Sequence, residues 1–212
     1  MNTETLVVGE FQANCFVVWG DSKEAIVIDP GADAEHILAF IDYHKLSIAA
    51  YMLTHGHVDH ISATAKLCQQ RPAPVGIHPD DLAWAYGPEN HFEPFYSVPD
   101  KPDNTDRSLS DGQSFTDGGL TYKVISTPGH SPGSVCFYFE DENTLFAGDT
   151  LFAGSIGRTD LPGGNMGDMN NSLKLLASFP DETIVYSGHG PSSTIKFEKE
   201  NNFFLKRQEM DV

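Results

Sequence analysis

Residues 54–60 read Thr54-His55-Gly56-His57-Val58-Asp59-His60. Three histidines and an aspartate so close together form a metal-ligand pattern far more specific than a lone short motif. The stretch follows directly on Ala49–Leu53, an apolar run that reads as a strand. Ligands gather where strands leave a sheet edge. Alternate residues of an extended chain project the same way, so His55 and His57 are placed to grip one ion. Asp59 and His60 then address a neighbouring position. Neutral imidazoles suit zinc and iron, and a carboxylate favours the harder face of such ions.

Three isolated residues downstream fit the same site. His130 stands in Thr127-Pro128-Gly129-His130-Ser131, Asp149 in Ala147-Gly148-Asp149-Thr150 and His189 in Ser187-Gly188-His189-Gly190. Each lies just past an expected strand and beside glycine, which permits tight turns and close backbone approach. Singly, each has a structural reading: a turn cap for His130, a helix cap for Asp149, a core histidine for His189. Together with the first cluster they make five histidines and two aspartates, more than one tetrahedral ion requires. Two ions sharing Asp149 account for the surplus, with His55, His57 and His130 on one side and Asp59, His60 and His189 on the other. Two ions about 3.5–4 Å apart hold a hydroxide between them, so hydrolysis needs no serine or cysteine nucleophile.

The rest of the chain supplies a scaffold. Strands are expected at Leu6–Val8, Cys15–Trp19, Ala25–Ile28, Pro74–His78, Ser114-Phe115, Leu120–Ile125, Ser134–Phe139, Thr144–Phe146 and Thr183–Tyr186. Helices are expected at Ala34–Lys45 with Asp33 as N-cap, Ile61–Gln69, Pro79–Tyr86, Met169–Phe179 and Ile195–Leu205. Both halves run as a β-meander, then helix, then strand, which predicts two packed α/β halves. Residues 87–105 are rich in Gly, Pro, Asn and aromatics and show no period, so they read as an active-site flank carrying His91.

Composition narrows the function. With 212 residues, 40% hydrophobic and 20% charged, the chain predicts one globular domain over 1–212. The charge sum of −17 disfavours nucleic acid and anionic membranes as partners. No apolar run is long enough to span a bilayer, and no basic-then-apolar leader opens the chain. Cys15, Cys68 and Cys136 are odd in number and set among apolar neighbours, which points to buried free thiols and a cytoplasmic location.

These motifs resemble metallo-β-lactamase-fold hydrolases of the glyoxalase II (hydroxyacylglutathione hydrolase) type. The resemblance covers nearly the whole chain. It is carried by Asn14-Cys15, Ile28-Asp29-Pro30-Gly31, Thr54–His60, Thr127–Gly133, Phe146–Phe152 and Ser187–Pro191. It implies an αβ/βα four-layer sandwich with the metals at one edge, the seven ligands matching position by position. It implies two divalent metal ions, zinc first, with iron and manganese also accepted by such ligands. The implied reaction is hydrolysis of a small-molecule thioester, an S-2-hydroxyacylglutathione, by a metal-bridging hydroxide that the ligand Asp59 orients. Three departures stand out. No C-terminal helical glutathione-binding domain follows His189, Ser62-Ala63 replaces the family's Gly-Gly, and Gly154–Asp160 resembles both short bacterial glyoxalase II-like proteins and persulfide dioxygenases. The alternative is therefore a mononuclear iron persulfide dioxygenase, and a lactonase or β-lactamase is a further one. Arg158 and His91 are the candidate substrate contacts, Arg158 also reading as the partner of Asp160. A purely structural metal site predicts a closed four-ligand cage, against which the ligand surplus counts.

Overall fold

In the computed structural model, which describes residues 1–105 and 107–209, the two halves each form a six-stranded sheet. The first orders β1 (Asn2–Val8), β2 (Ala13–Trp19), β3 (Glu24–Ile28), β4 (Ser47–Met52), β5 (Val75–Ile77) and β6 (Arg107–Ser108) edge to edge. β1 to β3 pair antiparallel as a meander; β3 to β6 pair parallel. Helix α1 (Ala34–His44) crosses between β3 and β4. α2 (Val58–Ile61), α3 (Thr64–Gln70) and then α4 (Pro79–Leu82) occupy the two later connections.

The second half supplies β7 (Ser114–Asp117), β8 (Leu120–Ser126), β9 (Val135–Phe139) and β10 (Thr144–Gly148). A hairpin of β11 (Leu151–Phe152) and β12 (Ser155–Ile156) follows, then α5 (Met166–Ala177), β13 (Ile184–Ser187), β14 (Ser193–Thr194), α6 (Ile195–Asn201) and α7 (Phe203–Glu209). The sheet order is β14-β13-β10-β9-β8-β7.

Period-2 alternation sorts the side chains into three apolar layers. Along β2, Phe16 and Val18 join Ile26, Ile28, Met52, Tyr122, Phe137 and Phe146 between the sheets. Cys15, Val17 and Trp19 on the opposite face meet Ile37, Leu38 and Ile41 of α1 and Leu67 of α3. Outside the second sheet, Cys136, Leu145 and Val185 pack on Met169, Leu173 and Leu176 of α5 and Ile195 of α6. Each large apolar side chain so buried contributes about 1.5–3 kcal/mol before the entropy cost of ordering it. The result is the expected αβ/βα four-layer sandwich. All three cysteines are free and buried, as their neighbours implied.

Several local details differ from expectation. Asp33 does precede α1, but its backbone is left-handed (φ 52°) and its carboxylate accepts from the Gly9 amide at 2.8 Å instead of capping the helix. The expected Ile61–Gln69 helix is two pieces, because Asp59 and His60 already lie in the short α2. The helix starting at Pro79 ends at Leu82 rather than Tyr86. α5 starts at Met166, three residues early, since the Asn165 side chain accepts from the amides of Gly167 and Asp168 at 2.7 and 3.1 Å. The closing helix breaks at Asn202, whose side chain donates to Ser155 O at 2.9 Å and to Glu198 at 2.8 Å.

Candidate metal centre

All seven predicted ligands meet at one edge of the sandwich. β4 runs out at Met52, the chain bends at Thr54 and is extended at His57 (φ −66°, ψ 146°) before α2 turns it. The extended part directs His55 and His57 to one place, and the helical turn directs Asp59 and His60 to the next. His130 arrives on the loop after β8, Asp149 follows β10 and His189 follows β13. Close approach needs glycine at two points. A Cβ on Gly188 would lie 2.2 Å from Asp149 Oδ1, and one on Gly157 would lie 1.8 Å from Asp149 O.

Two trios result. His55, His57 and His130 present ring nitrogens within 4.8 Å of one another, as do the ligand atoms of Asp59, His60 and His189. His57 Nδ1 faces His130 Nε2 at 2.9 Å. His60 Nε2 faces His189 Nε2 at 3.3 Å, and Asp59 Oδ2 lies 3.3 Å from His189 Nε2. Asp149 stands between the trios. Its Oδ2 is 3.5 Å from His130 Nε2 and 3.7 Å from His189 Nε2, and its Oδ1 is 3.5 Å from His60 Nε2.

The hydrogen bonds behind the rings set the tautomers. Asp29 accepts from the Thr54 amide at 2.7 Å, from the Thr54 hydroxyl at 2.6 Å and from His60 Nδ1 at 3.1 Å. The Thr54 hydroxyl has spent its proton on Asp29, so at 3.0 Å it must accept from His55 Nδ1. His130 Nδ1 donates to Arg158 O at 2.8 Å, and His189 Nδ1 donates to Phe11 O at 3.1 Å. In their neutral form these four rings place the proton on the outer nitrogen and turn a lone pair inward, the arrangement metal-binding histidines require. Asp29, His55 and His60 also cluster within 4.8 Å, but the Asp29 carboxylate already accepts from three donors, one of them His60 Nδ1, which makes it a support rather than a ligand.

The donor set fits a pair of divalent ions on two further grounds. His55 Nε2 and Asp149 Oδ1 are buried without a hydrogen-bond partner, a costly state unless something else satisfies them. Electrostatics divides the rings. Burial and the neighbouring imidazoles push His55 well down, and burial with His130 pushes His57 down to about 3, so both are neutral. Burial works against charge on His60 too, yet Asp59, Asp149 and Asp29 overcome it and lift that ring to about 10. His189 is raised likewise by Asp59 and Asp149 against its burial. Burial alone would raise the Asp59 carboxyl, but His60 and His189 hold it well below the usual range. The second trio is therefore a place that asks for positive charge, which a cation supplies.

Reading the sequence alone leaves several contributors unassigned. Asn14 clamps the His189 loop, donating from Nδ2 to Ser187 O at 2.8 Å and to Gly190 O at 2.9 Å. Trp84 sits 5.2 Å from the His57 ring, and Phe152 lies 6.2 Å from His189. Phe11 packs on Phe92 and Tyr96 at 4.8 and 5.0 Å, which brings part of segment 87–105 alongside the His189 side of the centre. Of the two candidate substrate contacts, His91 is exposed beside Phe92. The Arg158 side chain is exposed and doubly bonded to Asp160 at 2.7 and 2.8 Å, while its main-chain carbonyl is what serves His130.

Comparison with known proteins agrees with this geometry. The chain is similar to hydroxyacylglutathione hydrolase GloC of Haemophilus influenzae, with 35% identity over 217 residues, covering 97% of this chain and 98% of that one. Among solved structures it is similar to BLEG-1 B3 metallo-beta-lactamase, with a TM-score of 0.91 and 39% identity over 96% of this chain and 99% of the other. It is also similar to TTHA1623 in a di-iron-bound form, with a TM-score of 0.82 and 36% identity over 95% of this chain and all (100%) of the other. The sequence model of the metallo-beta-lactamase superfamily matches residues 8–189, a span that takes in all seven candidate ligands. This chain belongs to the metallo-beta-lactamase superfamily.

Proposed function

We propose that this metallo-hydrolase cleaves thioesters of 2-hydroxy acids, with an S-2-hydroxyacylglutathione as the reference substrate. The observation that carries the reading is the meeting of two ligand trios at Asp149, with four ring lone pairs held inward by outer hydrogen bonds. Similarity to a hydroxyacylglutathione hydrolase over 97% of the chain supports the choice of substrate.

His55, His57 and His130 would hold one ion, Asp59, His60 and His189 the other, and Asp149 both. Two divalent ions so held supply Lewis acidity toward a carbonyl oxygen and a water that is nucleophilic near neutral pH. Asp59 stays ionised between His60 and His189, so its carboxylate is an acceptor able to orient that water. Expulsion of a thiolate needs no strong general acid. The rings of Trp84 and Phe152 lie 5.2 Å from His57 and 6.2 Å from His189, one beside each trio, and offer apolar surface to an acyl group. Zinc is the proposed metal; the relative solved in a di-iron-bound form makes iron the alternative. The partner is a small molecule, and three buried free thiols fit a cytoplasmic setting.

The test combines elemental analysis with three assays on one preparation: lactoylglutathione hydrolysis, oxygen uptake with glutathione persulfide, and hydrolysis of a β-lactam. About two ions per chain with thioester turnover is the expected result. One iron with oxygen consumption would replace this reading by the dioxygenase. Turnover of the β-lactam alone would replace it by a lactamase. In the same assay His57→Ala should abolish turnover and lower metal content while circular dichroism stays unchanged.

A further inference from the structure

Asp81 has no part in the chemistry above, yet it is fully buried in α4. Its carboxylate accepts from three donors. The Gly56 amide reaches Oδ2 at 2.8 Å, the Ser131 hydroxyl reaches Oδ2 at 2.6 Å and the Gly133 amide reaches Oδ1 at 2.7 Å. Gly56 lies between His55 and His57, and Ser131 to Gly133 directly follow His130. One side chain therefore ties together the two loops that supply the whole first trio.

The contact is close as well as bonded. A Cβ on Gly133 would come within 2.8 Å of Asp81 Oδ1, and one on Gly56 would meet Asp81 Cβ at 3.3 Å. The far side of the Gly56 peptide is held too, since Asn90 Nδ2 donates to Gly56 O at 2.8 Å and to Ala85 O at 2.6 Å. Ser131 and Ser134 hydroxyls lie 2.7 Å apart and extend the network within the His130 loop. Burial raises the Asp81 carboxyl against the pull of its donors, so the side chain sits there at a cost that an apolar residue would avoid. Packing does not explain that cost. Geometry does, because metal ligands must be placed to within a few tenths of an ångström.

We propose that Asp81 is a positioning residue that locks the His55–His57 loop to the His130 loop and sets the affinity of the first metal position. The second position rests on other supports, Asp29 behind His60 and Asn14 behind His189. The inference depends on the two-metal reading of the site.

The experiment is a competition titration of metal-free protein with Zn(II) against a chromogenic chelator, resolving two binding constants. His189→Ala and His57→Ala identify which constant belongs to which trio. Asp81→Asn keeps the shape but can accept on one oxygen only, so its NH2 group must face an amide donor. It should weaken the first position by about 10–100-fold, the usual effect of removing a support behind metal ligands. The second constant should stay within about threefold. Ser131→Ala removes one donor and should weaken the same position to a smaller degree. Asp81→Glu should not restore affinity, because no room remains at Gly133. A merely structural role would lower the unfolding temperature of the metal-free protein and weaken both positions in parallel, which would overturn the proposal. So would two unchanged constants. Should Asp81→Asn fail to fold, Ser131→Ala decides: loss confined to the first position supports the lock, and no loss overturns it. A wild-type protein that binds no metal removes the two-metal reading, and this inference with it.

Discussion

Asp29→Asn is the substitution whose consequences the structure works out most fully. Asp29 is fully buried and left-handed (φ 51°), a conformation asparagine adopts readily, so backbone and volume are preserved. What changes is one oxygen. Oδ2 accepts both the Thr54 hydroxyl at 2.6 Å and His60 Nδ1 at 3.1 Å, while Oδ1 accepts the Thr54 amide at 2.7 Å. If the amide keeps its oxygen toward the Thr54 N–H, its NH2 group faces two donors. The clash is relieved when His60 moves its proton to Nε2 and Thr54 turns its hydroxyl toward His55, which then moves its own proton to Nε2. Both moves put a proton on an inward nitrogen, where a metal needs a lone pair. Loss of such a support weakens metal binding by roughly 10–100-fold, or about 1.4–2.8 kcal/mol. Because Asp29 meets His60 directly and His55 through Thr54, both positions should weaken, unlike the selective loss expected for Asp81→Asn. The assay is chelator competition on metal-free protein, with 15N shifts of the histidine rings reporting the tautomers. Wild-type constants at both positions, or unmoved ring protons, would refute the tautomer argument.

The other outcomes are simpler. Gly188→Ala should lose metal at both positions, since its Cβ would fall 2.2 Å from Asp149 Oδ1 and displace the carboxylate between the trios; elemental analysis after gel filtration checks this. Arg158→Ala should leave metal content unchanged, because only the main-chain carbonyl of Arg158 supports His130; a rise in KM with steady kcat would show that the exposed guanidinium meets substrate. The three thiols should resist a thiol reagent at pH 8 in the folded protein and react after unfolding, counted by absorbance. Burial pushes the Cys136 thiol up to about 12, so the folded state holds that proton more tightly than the unfolded chain does. Stability should therefore fall as pH rises from about 9, near the unfolded thiol value, toward 12, and Cys136→Ser should flatten that limb of a denaturant-midpoint profile.

What could be read in the sequence has a common character: it is local. His55, His57, Asp59 and His60 lie within one loop, and the strand before them announces where that loop opens. His130, Asp149 and His189 each carry a glycine beside them and a strand before them, so their convergence could be expected once the first cluster was known. β2 and β9 are apolar on both faces, so the layer each side chain joins was decided only by the packing of the two sheets. The misplaced helix ends trace to side-chain bonds that no periodicity encodes, such as Asn165 capping α5 and Asn202 bonding Ser155 and Glu198 where the closing helix breaks.

The sequence by itself determined which residue types bind metal and where the strands end, because those depend on neighbours along the chain. Only the tertiary structure decided which nitrogen of each ring points inward and which loops are tied together. Those follow from His60 meeting Asp29 across 31 positions, Ser131 meeting Asp81 across 50 and His189 meeting Phe11 across 178. A hydrogen bond between such distant residues needs a specific donor and acceptor brought within about 3 Å, and it leaves no repeat or spacing in the sequence to reveal it.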